Sequence, residues 1–307
     1  MASAKSAYSI ATNTAKNLLK AAELQSAGGI AAPKPITLQL NDYSFYYDTA
    51  PPSPRQLQYS ADVFKASKHS PLQMWTASEF RTIPMSDVPE VAFLGRSNVG
   101  KSSLLNTIME KEVCGEAKVV LVDTPGYGKG SHEEWGGEII KYLTRRKQLR
   151  RTFILIDSHH GIKPADAAIL SLLRSSAVPH QIILSKADSV LIKRGTNRGT
   201  RGLRRARIEE LRLFAENIRK MVQPVRNVGR GGGTELGIPA LGEILACSTR
   251  FKNLGERAYL GIDAIRWSIL RAAGLGVEGE GGGVGTGTGT GTGVGMAEEK
   301  AGSGLDG

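Results

Sequence analysis

Gly95-Arg96-Ser97-Asn98-Val99-Gly100-Lys101-Ser102-Ser103 stands between an apolar run, Val91 to Leu94, and a segment of helical spacing, Ser102 to Ile108. Strand, G-x-x-x-x-G-K-[ST] loop and helix in that order make a phosphate cradle. The glycines let successive backbone N–H groups turn inward around an anion, and the helix N-terminus adds its partial positive charge. In such a loop Lys101 reaches the β- and γ-phosphates, and the Ser102 hydroxyl ligates magnesium. The backbone from Gly95 through Ser103 is therefore the first candidate nucleotide site.

Two further segments choose the base. Val119 to Val122 is a β-branched apolar run ending in Asp123, followed by Thr124-Pro125-Gly126. A strand of that kind delivers a carboxylate to the magnesium shell, and the Gly126 amide can sense a γ-phosphate. Farther on, Ile182 to Leu184 runs into Ser185-Lys186-Ala187-Asp188. Asp188 can accept hydrogen bonds from N1–H and the exocyclic amine of guanine, a pair adenine does not offer. The Lys186 stem can lie along the base plane. The three segments together favour GTP and GDP, with Mg2+, over ATP.

These motifs resemble the EngB family, small ribosome-assembly GTPases of bacteria and organelles, from about Phe64 to about Ala273. Pro89 through Asn106 and Val122 through Gly128 carry the resemblance most specifically. Asp157-Ser158-His159-His160-Gly161 is similar to the family's Asp-x-Arg-His-Gly stretch, with His159 where Arg is usual. Ser185 stands where the family has Thr. The base-contacting loop near the end of the domain corresponds to Cys247 and Ser248. The resemblance implies a Ras-like α/β domain: a mostly parallel sheet with helices on both faces and ligand at the carboxyl ends of the strands.

One part of the pattern is missing. Only 22 positions separate Lys101 from Asp123, and Glu112 to Ala117 holds neither a threonine nor a second strand. A Ras-like GTPase closes over the γ-phosphate with such a switch segment, whose Thr completes the magnesium shell. The spacing fits either a degenerate protein or a chain from which an exon has been left out. The strand from Lys118 to Asp123 is expected to lose an edge neighbour. Tyr127 follows Gly126 where Ras-type enzymes place the Gln that orients water, so intrinsic turnover is expected to be slow.

The chain carries +11 net charge, and Leu191 to Arg230 alone holds twelve Lys/Arg against three Glu. Its front half, Lys193 to Gly202, is Gly-rich. Its second half reads as an amphipathic helix, with Leu211, Phe214, Ile218 and Val222 inward and Arg204, Arg205, Arg212 and Arg219 outward. Such a run is either a solvated face or a surface for rRNA phosphates on a large ribosomal subunit. Arg145-Arg146-Lys147 and Arg150-Arg151 form a second basic cluster. Cys114 and Cys247 make neither a disulfide framework nor a metal-ligand spacing, so no disulfide partner is expected.

Residues 1–60 read as a targeting segment and linker. Met1 to Ala22 has three lysines and no acid, which suits a mitochondrial matrix presequence, with a cytoplasmic location as the alternative. Ile30 to Ser60 is proline-rich. Residues 61–273 form the G domain, and 274–307, rich in Gly and Thr, form a disordered tail. No run of 18 apolar residues is present, so no membrane partner is expected. The functional expectation is a slow GTPase assisting assembly of the mitochondrial large ribosomal subunit. The alternative is a non-hydrolysing pseudo-GTPase that binds rRNA or protein.

Overall fold

The computed structural model describes residues 36–65, 72–76, 87–109, 118–128, 133–192, 203–223, 239–252 and 258–276. Among these residues seven strands form one sheet: β1 (Ser44–Tyr46), β2 (Leu72–Thr76), β3 (Glu90–Gly95), β4 (Val119–Asp123), β5 (Leu149–Asp157), β6 (His180–Ser185) and β7 (Glu243–Ala246). Their spatial order is β1-β7-β6-β5-β3-β4-β2. Every neighbouring pair is parallel except β1 with β7. The longer helices are α1 (Pro54–Val63), α2 (Lys101–Met109), α3 (Glu133–Arg145), α4 (Pro164–Ser175), α5 (Arg205–Val222) and α6 (Ile262–Ala272).

The middles of the central strands, Val91 to Leu94, Phe153 to Ile156 and Ile182 to Leu184, are apolar because both faces of the sheet are covered. Alternate residues of β3 separate the two cores, as a period of two requires. Val91 and Phe93 pack with Leu104, Leu105 and Ile108 of α2 and with Ile265 and Ile269 of α6. Ala92 and Leu94 join the opposite core, which takes Ile139 and Leu143 from α3, Leu170 and Leu173 from α4, and Leu211 and Ile218 from α5. The α/β architecture expected from the sequence is the one observed. β3, β5 and β6 run parallel, with Gly95 opposite Leu155 and Asp157 opposite Ser185, so their carboxyl ends share one rim.

Both edges of the sheet differ from expectation. Ile30 to Ser60 was expected to be linker, yet Leu38, Tyr43 and Phe45 are buried. Ser44 to Tyr46 pairs antiparallel with β7, Ser44 opposite Leu245. Three residues of strand are too few to show a period. Ser53 then caps α1, with Pro54 at its first position, and the Ser60 hydroxyl donates to the Asp263 carbonyl at 3.0 Å. The folded domain therefore begins before residue 61. At the other edge, β4 is not left without a neighbour. β2 lies beside it in parallel, from Leu72 opposite Val119 to Thr76 opposite Asp123. Residues 110–117, where the switch segment was expected to be missing, lie outside the described residues.

Two arginines of the expected second basic cluster are internal. Arg146 places Nη2 at 2.6 Å and Nε at 2.9 Å from Glu90 Oε1, and the Tyr142 hydroxyl donates to Glu90 Oε2 at 3.0 Å. Burial, then the neighbouring Glu90 carboxylate, holds the Tyr142 phenol well above its ordinary pKa. Arg151 donates to Gln181 Oε1 at 2.9 Å and Ser268 Oγ at 2.8 Å. A charge run records the count of cations and not their partners. Arg145, Lys147 and Arg150 remain exposed.

Arg146→Met would strand the fully buried Glu90 carboxylate at the start of β3. Breaking a buried pair from one side costs about 3–5 kcal/mol. Chemical denaturation should show a loss of that size, whereas a surface contact would cost under about 1 kcal/mol.

Candidate functional site

The loop between β3 and α2 turns on Asn98, with φ of 64°, and Gly100, with φ of 104°. Asn tolerates the left-handed region, and Gly enters it without strain. The amides of Asn98, Gly100, Lys101, Ser102 and Ser103 have no acceptor, while Val99 N–H closes on the Arg96 carbonyl at 3.1 Å. Such a concavity of unpaired donors at a helix N-terminus binds anions. The Lys101 ammonium pairs with Asp123 Oδ1 at the end of β4, and both side chains are largely shielded from solvent. Ser102 and Ser103 are exposed.

The Asp123-Thr124-Pro125-Gly126 turn is fastened to the loop. Thr124 Oγ1 donates to the Phe93 carbonyl at 2.8 Å. Ser97 N–H donates to the Tyr127 carbonyl, and Tyr127 N–H to the Gly95 carbonyl, each at 3.2 Å. A Cβ on Gly126 would lie 2.8 Å from the Ser97 nitrogen, so only glycine allows this approach. The Tyr127 ring is buried and its hydroxyl donates to Asp166 Oδ1 of α4 at 2.7 Å. Burial, then Asp166, raises the phenol far above its ordinary pKa. Tyr127 is thus a core residue, turned away from the loop.

β6 supplies the base-side residues and braces the loop as well. Ser185 Oγ donates to the Val99 carbonyl at 2.8 Å, and Lys186 Nζ to the Asn98 carbonyl at 2.8 Å. Lys186 Nζ also lies 2.9 Å from Asp157 Oδ2. Asp157 Oδ1 accepts the His159 amide at 2.9 Å and the His160 amide at 3.2 Å. Burial would raise the Asp157 carboxyl, but Lys186, the His159 amide and the His160 side chain outweigh it and hold its pKa down at about 2. Asp188 opens a single helical turn and accepts the Ser248 hydroxyl on Oδ1 at 2.7 Å.

The structure corrects the assignment of Cys247. Its thiol is buried, and burial followed by the Asp188 charge pushes it up to about 12. Its amide donates to the Leu184 carbonyl at 2.9 Å, and the Ser248 amide to Leu260 at 3.0 Å. The amide left without an acceptor is that of Thr249, one residue later. Ser248 acts through its hydroxyl, which orients Asp188 and accepts the Arg250 and Phe251 amides at 3.1 Å. No sequence motif announces that the Thr249 amide is free, since hydrogen-bond partners decide it.

The basic helix is partly as expected. Leu211, Ile218 and Val222 are buried, with Ile208 and Ala215, while Phe214 is half-buried. Arg204, Arg205 and Arg212 are exposed. Arg219 is not a free cation: it stacks 4.2 Å from the Tyr47 ring centroid and reaches Asp48 at 3.3 Å. Lys193 to Gly202 and residues 224–230 lie outside the described residues.

Comparisons with known proteins converge on this region. Residues 90–117 and 110–186 match the family model MMR_HSR1, 50S ribosome-binding GTPase. The two pieces meet where the spacing from Lys101 to Asp123 is short. A probable GTP-binding protein EngB from Bradyrhizobium diazoefficiens is 40% identical over 141 residues, 38% of this chain and 65% of that protein. The chain therefore spans just under two thirds of that relative's length. Another, from Rhodopseudomonas palustris (strain BisB5), is 35% identical over 162 residues, 45% of this chain and 73% of that protein. The crystal structure of a probable GTP-binding protein engB aligns with 60% of this chain and 98% of its own, at a TM-score of 0.38 and 18% identity.

Because the folded Asp157 pKa lies below the value of about 3.9 for a free Asp, its charge stabilises the fold above that pH. The contribution, about 2 kcal/mol, should fade as pH falls from about 4 to about 2. Denaturation of wild type and Asp157→Asn across that window should show the two stabilities converging. A gap that persists at pH 2 would assign it to something other than the charge.

Proposed function

The chain belongs to the EngB family, at 35% identity across 73% of one member's length, and from that premise we propose that it binds GTP and GDP together with magnesium. One arrangement carries the reading: five unpaired amides and the Lys101 ammonium stand at the start of α2, and Ser185 and Lys186 join that cradle to Asp188. Phosphates fit the amides and the ammonium. Guanine fits the Asp188 carboxylate, whose free oxygen and Ser248-bound oxygen can accept two parallel N–H groups.

The oxygen donors present suit a hard cation. Ser102 offers a hydroxyl and Asp123 a carboxylate, so these two would hold magnesium. When bound, magnesium neutralises charge developing between the β- and γ-phosphates. Lys101 and Asp123 serve each other until nucleotide arrives. Lys101 then turns to phosphate, which leaves Asp123 free for its second role.

Turnover is slow in this reading. Tyr127 faces α4 from the position that would otherwise orient water, and its phenol stays protonated across the physiological range. Assembly of a large ribosomal subunit in mitochondria is the proposed setting. Three things support it: the description of the matched family model, the +9 charge of residues 191–230, and the acid-free, lysine-bearing N-terminus. Residues Arg204, Arg205 and Arg212 would contact rRNA phosphates without reading sequence. A second reading, a non-hydrolysing binding module, is favoured by the 22-residue spacing of Lys101 and Asp123.

Fluorescent GDP should bind, and Asp188→Asn should weaken it about 100-fold, the effect of setting an amide donor against two guanine donors. Xanthine nucleotide, with a carbonyl in place of the amine, should regain affinity on that variant. Equal affinity of both proteins for GDP would remove Asp188 from the site. GTP turnover that rises with ribosomal subunits would exclude the non-hydrolysing reading. Co-sedimentation with large subunits should weaken with salt, less steeply after Arg205→Ala and Arg212→Ala, since each phosphate contact adds about one to the slope.

A further inference from the structure

Asp157 is a buried carboxylate at the rim of the candidate site for which nucleotide binding leaves no direct role. It lies at the carboxyl end of β5, between the strands that deliver the phosphate loop and the base-side turn. Its residue is 8% exposed, whereas Lys186 is exposed along its stem. Only one contact ties the Lys186 ammonium to the phosphate loop, the Asn98 carbonyl at 2.8 Å. An exposed lysine held by one neutral acceptor samples many rotamers. A fixed anion at 2.9 Å on its other side removes that freedom.

We propose that Asp157 is a positioning residue of the nucleotide site, acting through Lys186. Oδ1 is anchored by the His159 and His160 amides, with the His160 ring Nδ1 at 3.1 Å, so Oδ2 is presented to Lys186 in one orientation. The ammonium is thereby clamped between Asp157 and Asn98. Its aliphatic stem lies ready for the base face while its head stiffens the cradle. Base turn and phosphate loop then move as one unit, and a nucleotide meets both at once. Pre-ordering of this kind appears in affinity because the ordering entropy is spent before binding. The proposal rests on the nucleotide-binding reading.

The competing account is that Asp157 only caps the His159-His160 turn. Asp157→Asn separates the two, since it keeps a carbonyl oxygen for the amides and removes the charge facing Lys186. Release of fluorescent GDP should be about tenfold faster in Asp157→Asn, the scale of one charge-assisted hydrogen bond. Lys186→Met should also speed release. The double variant should release no faster than Lys186→Met alone, within a factor of about two, because contacting residues that act together are non-additive. Asp157→Glu, which retains the charge, should fall between wild type and Asp157→Asn, and it supplies a second arm if the Asn variant does not fold.

A wild-type release rate in Asp157→Asn, or fully multiplicative effects in the double variant, would overturn the clamp and leave the nucleotide reading standing. Failure of the unsubstituted chain to bind GDP would instead overturn the nucleotide reading, and the clamp with it.

Discussion

Each peptide unit that turns its N–H into an anion cradle turns its C=O outward, and those carbonyls then need donors. Much of the molecule is arranged around that constraint. The Val99 carbonyl, which shares its peptide unit with the unpaired Gly100 amide, receives Ser185, and the adjoining Asn98 and Gly95 carbonyls receive Lys186 and the Tyr127 amide. The donors come from two flanking segments, one nearer the magnesium side and one at the base side. Holding the cradle open and bringing in the rest of the site are therefore one structural act. A loop lacking those donors would have to choose between burying bare carbonyls and collapsing its amides inward.

The unit made of β3, the loop and α2 is also held at its far ends. Glu90 opens the strand and is buried against Arg146. Ile108, in the last turn of the helix, gives its carbonyl to Arg266 Nη2 at 2.9 Å, and Thr107 gives its own at 3.3 Å. Arg266 is itself buried, paired with Asp263 and set over the Phe64 ring. A cation at a helix C-terminus satisfies the last carbonyls and opposes the dipole. Two guanidiniums from outside the unit thus fix its two ends, and neither touches the cradle. Rigidity at the loop is built at a distance from it.

How much of this could be read beforehand follows from how local each interaction is. The cradle was legible because its residues adjoin one another and lie between an apolar run and a helix. Asp123, Lys186 and Asp188 are legible because the first ends an apolar strand and the other two follow closely on one. β1 is not legible because three residues show no period, nor β2 because the register that defines it belongs to β4. The internal roles of Arg146, Arg151 and Arg219 are not legible, since a run of cations says nothing about Glu90, Ser268 or Tyr47. That the free amide belongs to Thr249 and not Cys247 is not legible, because amide pairing sets where the strand ends. Asp157 was visible as part of a resembling stretch, but its partner, Lys186, lies across β6.

Both edges of the sheet are drawn from chain that precedes the phosphate loop, and this has a consequence for the order in which the molecule is made. β1 must wait for β7, and Thr49 for Glu243, 194 positions later. At ribosomal speeds that interval is on the order of tens of seconds. During it the first strand emerges with its backbone donors and acceptors unmatched, while the central strands can already assemble. The sheet is completed only when the last strand leaves the tunnel and its waiting neighbour closes onto it. A nascent chain of this design is thus committed late, and its first strand stays vulnerable until β7 has emerged.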